Sequence, residues 1–253
     1  MSNSASRKPV KAIKSFFPLL VVVLSASCSG NGEGNALPDW AIGPFVRPEG
    51  VNPVISPDTA ATFLCTMNQG PMKWRESDTF NPAATLAGDR IAVLFRSEDN
   101  TARGIGSRTS RIGYAESEDG FHMTFAAEPV LYPAEDCNKA YEWPGGCEDP
   151  RVAVIEDGLY VMMYTSWNRD MPRLCVATSR DLKNWDKHGY AFEDALGDRN
   201  FGGCKSASVV TEIRDGRLVI AKPGGKYLMY WGERFVNLAT SDDLIHWVPQ
   251  TDA

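Results

Sequence analysis

The chain has 253 residues, 26 basic and 32 acidic side chains and a formal net charge of −6. That length is enough for a domain with a real core, and the acidic balance argues against nucleic acid or an electrostatic grip on anionic lipid. Six cysteines without a C-x-x-C pair indicate neither a zinc site nor a full disulfide framework.

Residues 1–27 read as a secretory signal. Arg7, Lys8, Lys11 and Lys14 carry no acidic neighbour, the apolar run Phe16–Leu24 is too short to span a bilayer, and Leu24-Ser25-Ala26-Ser27-Cys28 follows. Small residues leading into a cysteine resemble the lipobox of bacterial lipoproteins. This predicts acylation of Cys28, an exported protein held at the membrane only by its lipid, and a flexible tether over residues 28–39. Leu24 stands four residues before the cysteine rather than the usual three, so simple secretion is the alternative. Without the signal the net charge becomes −10, and residues 40–253 form the candidate catalytic domain.

That domain repeats itself. Ser117-Glu118-Asp119-Gly120-Phe121, Ser179-Arg180-Asp181-Leu182 with Trp185, and Ser241-Asp242-Asp243-Leu244 with Trp247 begin at serines 62 and again 62 residues apart. Each follows a short strand (Ile112–Ala115, Cys175–Thr178, Asn237–Thr240) and ends in an aromatic suited to plug the gap to the next unit. Upstream of each lies a hairpin signal: Gly88-Asp89 before Arg90–Phe95, Asp157-Gly158 before Leu159–Tyr164, and Asp215-Gly216 before Arg217–Ile220. No long stretch has a helical apolar period. Each unit therefore predicts a four-stranded antiparallel sheet, and radial repetition of such sheets makes an all-β propeller of which this chain holds about three blades. Too few to close alone, they predict a chain incomplete at its C-terminus or a homo-oligomer. The Ser-x-Asp turns are expected to be hydrogen-bonded corners without chemistry, and His122, His188 and His246 beside them surface or packing residues.

One stretch reads as an active-site loop: Trp143-Pro144-Gly145-Gly146-Cys147-Glu148-Asp149-Pro150-Arg151, ahead of the apolar run Val152–Ile155. Two adjacent carboxylates stand at the mouth of a strand, beside an arginine and behind a Pro-Gly-Gly turn that lets the backbone approach a ligand closely. The plainer reading is that both acids cap a turn. Cys137 and Cys147 are spaced to bridge and brace this loop, whereas Cys175 reads as a buried free thiol.

Phe80-Asn81-Pro82-Ala83-Ala84, Arg96-Ser97-Glu98-Asp99, Ile112–Phe121, Gly146–Arg151, Lys205-Ser206 and Tyr230-Trp231-Gly232-Glu233 together resemble, in order, the signatures of glycoside hydrolase family 130, the β-mannoside phosphorylases. The resemblance implies a five-bladed propeller with a central funnel, a longer sequence than this one, and inverting transfer of a mannosyl unit from a mannose-containing oligosaccharide to inorganic phosphate as co-substrate. It implies Asp149 as proton donor through a sugar hydroxyl, Asn81 and Arg96 as mannosyl ligands, and Glu148 and Arg151 as flanking groups that bind substrate or orient the acid. Phosphate needs fixed positive charge; Lys205, Lys222 and Arg173 are the candidates, and each reads equally as a solvated rim charge. No metal or organic cofactor is implied. Two alternatives stand beside the phosphorylase: an exported β-mannosidase, because phosphorolysis conserves bond energy only inside a cell, and a non-catalytic glycan binder in which Trp143 or Trp167 stacks on sugar.

Overall fold

The structure, a computed structural model, describes residues 41, 43–196, 204–214 and 217–250. The expected signal and Cys28 lie outside them, as does the Asp215-Gly216 turn. The chain divides into a unit ending at Val46, irregular where it is described, and a unit from Arg47 onward that carries everything below.

This second unit is all-β. A small hairpin, β1 (Thr62–Cys65) and β2 (Gly70–Lys73), precedes β3 (Asp78–Ala87), β4 (Arg90–Glu98), β5 (Ser110–Ser117) and β6 (Thr124–Phe125), which pair in sequence as an antiparallel sheet. A single helical turn, α1 (Lys139–Glu142), leads into the next four, β7 (Gly146–Val154), β8 (Tyr160–Trp167), β9 (Pro172–Ser179) and β10 (Asp186–Tyr190), again paired in sequence. After the turn α2 (Glu193–Leu196) come β11 (Ala207–Val209), β12 (Thr211–Arg214), β13 (Arg217–Ile220), β14 (Tyr227–Trp231), β15 (Asn237–Ser241) and β16 (Trp247–Gln250). Here β11, β14, β15 and β16 make a third four-stranded sheet, and β12 pairs β13 apart from it. The departure from the earlier units has a local cause. A 3-10 turn at Pro223–Gly225, with Gly224 at φ 63°, interrupts the second strand between β13 and β14 and splits the hairpin in two.

Apolar alternation packs these sheets against one another. Tyr164, Cys175 and Leu182 of the second sheet join Leu94, Ile112 and Tyr114 of the first in one buried cluster. Met163, Leu174 and Val176, on its opposite face, join Met229, Trp231 and Trp247 of the third. Both faces of the middle sheet are therefore buried, each large side chain contributing about 1.5–3 kcal/mol. Phe63 and Trp74 from the β1–β2 region close the outer face of the first sheet on Phe95.

The three corners match in detail. Ser179 Oγ accepts from the N–H groups of Asp181 (3.1 Å) and Leu182 (2.9 Å), and Ser117 and Ser241 repeat the pattern. Gly120, Leu182 and Leu244 then share a left-handed φ of 79°, 63° and 71°. Trp185 and Trp247 donate back to the carbonyls of Leu182 and Leu244, both at 3.0 Å. The first copy differs from expectation: Phe121 is exposed, and Met123 packs inward against the Phe63–Trp74 cluster instead. His122 and His246 lie on the surface, each ring 2.6 Å from its corner aspartate.

The expected Cys137–Cys147 bridge does not form. Cys147 is fully buried among Leu94, Ile112 and Tyr164, Cys137 is exposed, and both are free thiols; Cys175 is buried and free as well.

Candidate active site

The first two sheets meet at one point, a single parallel bridge between Ser110 of β5 and Gly146 of β7, where Ser110 N–H donates to Gly145 O at 2.9 Å. Gly146 has φ 113°, and a Cβ there would collide with the Ser110 carbonyl. The Pro-Gly-Gly turn thus brings backbone close to a neighbouring strand, where the sequence suggested a ligand.

Two residues beyond this bridge β7 bulges. Its pairing with β8 slips between Glu148 and Arg151, and β3 slips against β4 in the same way between Phe80 and Ala83. Asn81 (φ 46°) and Asp149 (φ 50°) occupy the bulges, each followed by proline, and Ser206 (φ 58°) precedes β11 at the start of the third unit. Left-handed backbone at a non-glycine residue costs about 1–2 kcal/mol. A bulge re-aims its side chain. Here the bulges turn Asn81 and Asp149 toward each other, with Asn81 Nδ2 donating to Asp149 Oδ1 at 2.8 Å across 68 residues of sequence.

Arg96, buried near the end of β4, joins them. Its NH1 donates to the same Asp149 Oδ1 at 3.1 Å, its NH2 reaches Glu98 Oε1 at 2.6 Å and Glu148 Oε1 at 2.8 Å, and its Nε donates to Ser110 Oγ at 3.0 Å. The guanidinium also lies 4.5 Å from the Phe80 ring centre. Glu98 takes a second cation, Arg108 NH1 at 3.4 Å from its Oε2, and Arg108 also binds Asp78. One guanidinium therefore serves three carboxyl groups, two of them almost wholly buried. Burial pushes the Glu148 carboxyl up to about 7, with the charges of Asp149 and Glu98 adding and those of Arg96 and Lys205 opposing. Asp149 is different. Its side chain keeps some exposure, both of its donors sit on Oδ1, and among the described residues none bonds Oδ2. That oxygen is left open to a ligand.

The remaining sequence candidates lie around this cluster rather than in it. Arg151 turns into a largely apolar cleft of about 470 Å³ farther along β3, β7 and β11, its NH1 donating to Pro150 O at 2.7 Å. Trp143 is half-buried beneath Lys139 Nζ (4.2 Å to the ring), and Trp167 donates to Gly106 O at 2.7 Å. Lys205 pairs with Glu233 at 3.2 Å. Exposed Lys222 lies over Tyr227, and Arg173 lies over Tyr141 at 4.9 Å. The three cations each have a partner of their own. Glu98 and Ser110 were missed as site residues. Glu98 was detectable, since an i, i+2 pair on one strand points to one side and Arg96 was already a candidate.

A profile of glycoside hydrolase family 130, described as β-1,4-mannooligosaccharide phosphorylase, matches residues 51–252. A 1,2-β-oligomannan phosphorylase from a Thermoanaerobacter species is 30% identical over 185 residues, 72% of this chain and 55% of the relative. The solved structure of a glycosyl hydrolase from Bacteroides ovatus is 58% identical with a TM-score of 0.83, covering 86% of this chain and 61% of that one. Another, at 56% identity and a TM-score of 0.83 (87% and 61% covered), belongs to work finding that this family of mannoside phosphorylases contains glycoside hydrolases targeting β-1,2 mannosidic linkages in Candida mannan. The chain spans about half the length of the curated relatives it matches, 55% and 48%.

Proposed function

Because the chain belongs to glycoside hydrolase family 130, we propose that it cleaves β-mannosidic bonds with Asp149 as proton donor and transfers the mannosyl unit to inorganic phosphate, with β-1,2-linked mannosides as substrate. The observation that carries this reading is the clamp on one oxygen of Asp149 by Asn81 and Arg96, which leaves the other oxygen to meet a sugar. An acid in that role must be positioned within reach of the sugar, which the clamp on Oδ1 does. Phosphate arrives as an anion and, unlike water, needs no general base to activate it. The names of the curated relative and of the Candida mannan work support the β-1,2 linkage.

A second reading, transfer to water, is favoured by one geometric observation: Lys205, Lys222 and Arg173 each contact a different partner, Glu233, Tyr227 and Tyr141. The 56% identical structure, from work describing hydrolases in the family, supports the same alternative. Incubation of the protein with β-1,2- and β-1,4-mannobiose, with and without phosphate, decides. Mannose 1-phosphate formed only with phosphate is the expected result. Free mannose regardless of phosphate establishes the hydrolase, and tight binding without either product establishes the glycan binder.

The wider architecture belongs to the same proposal. Three four-stranded sheets joined in sequence support a five-bladed propeller, with the bulged strands β3 and β7 facing its funnel. The basic, apolar and small segments ending at Cys28 support export and lipid anchoring.

A further inference from the structure

Ser110 Oγ stands at hydrogen-bond distance from three partners: Arg96 Nε at 3.0 Å, Glu98 Oε1 at 3.3 Å and Glu148 Oε1 at 3.3 Å. A hydroxyl has one proton and two lone pairs. It accepts from Arg96 and gives its own proton to one carboxylate. Its contact with the second is a full hydrogen bond when that carboxyl carries a proton and donates it to the serine. The same two Oε1 atoms also converge on a single nitrogen, Arg96 NH2, at 2.6 and 2.8 Å. Two buried carboxyl groups drawn together in this way resist simultaneous ionisation.

We propose that Glu98 and Glu148 hold one proton between them, that it resides on Glu148, and that neutral Glu148 is the positioning residue that leaves the Arg96 charge to Glu98 and Asp149. The surrounding charges assign the proton. Glu98 faces two cations, Arg96 and Arg108. Glu148 faces Arg96 beside Glu98 from β4, Ser110 from β5, its own neighbour Asp149, and Lys205 ahead of β11, while its register partner on β8 is uncharged Thr165. The carboxyl with two cations in ion-pair contact keeps its charge, and the one with a single contacting cation, flanked by two acids, keeps the proton. The raised Glu148 carboxyl, near 7, agrees with this assignment. When Glu148 ionises, its negative charge competes for Arg96 and the clamp on Asp149 Oδ1 weakens. Only this last consequence rests on Asp149 as the catalytic acid; the shared proton does not.

The test is a carboxyl NMR titration of the full chain, carbon-13 labelled at glutamate Cδ. One glutamate titrating near pH 7 in the wild type and absent from Glu148→Gln is expected, and in Glu98→Gln it should titrate about one pH unit lower. A wild-type spectrum with no glutamate titrating near neutrality overturns the shared proton, whatever the variants do. Disappearance of the signal from Glu98→Gln instead of Glu148→Gln overturns its placement. In kinetics, the alkaline limb of kcat/KM near 7 should vanish in Glu148→Gln, and an unchanged limb overturns the positioning role. A protein inactive on every mannoside but showing the titration would leave the proton pair standing and remove the proposed function.

Discussion

Two kinds of polar cluster occur in this molecule. The corners at Ser117, Ser179 and Ser241 join residues two or three apart, set an exposed aspartate on a buried serine, and recur three times with the same bonds. The Arg96 cluster joins Asn81, Arg96 and Asp149 across 68 and 53 residues and is mostly buried. Local repetition is what a corner needs, because one turn geometry solves the same backbone problem in each unit. A single buried arrangement with three carboxyl groups around one guanidinium solves no backbone problem, and its desolvation costs stability. The contrast marks the Arg96 cluster as a candidate for chemistry rather than for turn-making.

The largest test of that separation is Asp149→Asn. Turnover on β-mannosides should fall by about 10²–10⁴-fold while sugar binding persists, since only the transferable proton is lost; equal loss of both, by calorimetry alongside the assay, would make Asp149 a structural residue. Next is Gly146→Ala at the bridge between the first two sheets. Positive φ and collision with the Ser110 carbonyl together should cost about 3 kcal/mol or more. A denaturant midpoint close to wild type would show that the bridge does not hold the cluster in place.

The sequence made the local half of this contrast legible. Serine and aspartate at fixed offsets, Asp-Gly hairpins and alternating apolar runs specify corners and strands from neighbours alone, so the three sheets follow from the 62-residue repeat. The long-range half depends on register, which no short pattern reveals. Glu148 and Asp149 were legible as a pair of acids, but the meeting of Glu148 with Ser110 follows from how β5 and β7 align at one bridge. Phe121 failed as a plug for a similar reason: the position six residues after the serine faces inward, and in the first unit it holds Met123.

Acid and base act on the two clusters in opposite directions. The folded Glu148 carboxyl, at about 7, lies above the ordinary glutamate value near 4.3. Its contribution to stability is therefore complete below about pH 4.3 and lost as pH rises through about 7. At the first corner, the backbone N–H and ring of His122 hold Asp119 below the ordinary carboxylate range. That contribution is present above about pH 3.9 and lost as pH falls below it. Thermal unfolding across pH should show Glu148→Gln removing the alkaline slope near 7 while the acid slope remains. Loss of both slopes would mean that the clusters are not independent.

The smallest effect comes from the corners themselves. In Ser179→Ala the N–H groups of Asp181 and Leu182 lose their acceptor, and Leu182 is wholly buried. The cost should be about 1–2 kcal/mol by denaturant unfolding. Ser117 and Ser241 make the same bonds in separate units, so the three alanine substitutions should cost similar amounts and add within about 0.5 kcal/mol. None should move the carboxyl titration near pH 7, because no corner serine bonds any member of the Arg96 cluster among the described residues. A corner substitution that did shift this titration would mean that the sheets transmit strain from the corners to the Arg96 cluster, and the repeated turns would then have to be counted as part of the site.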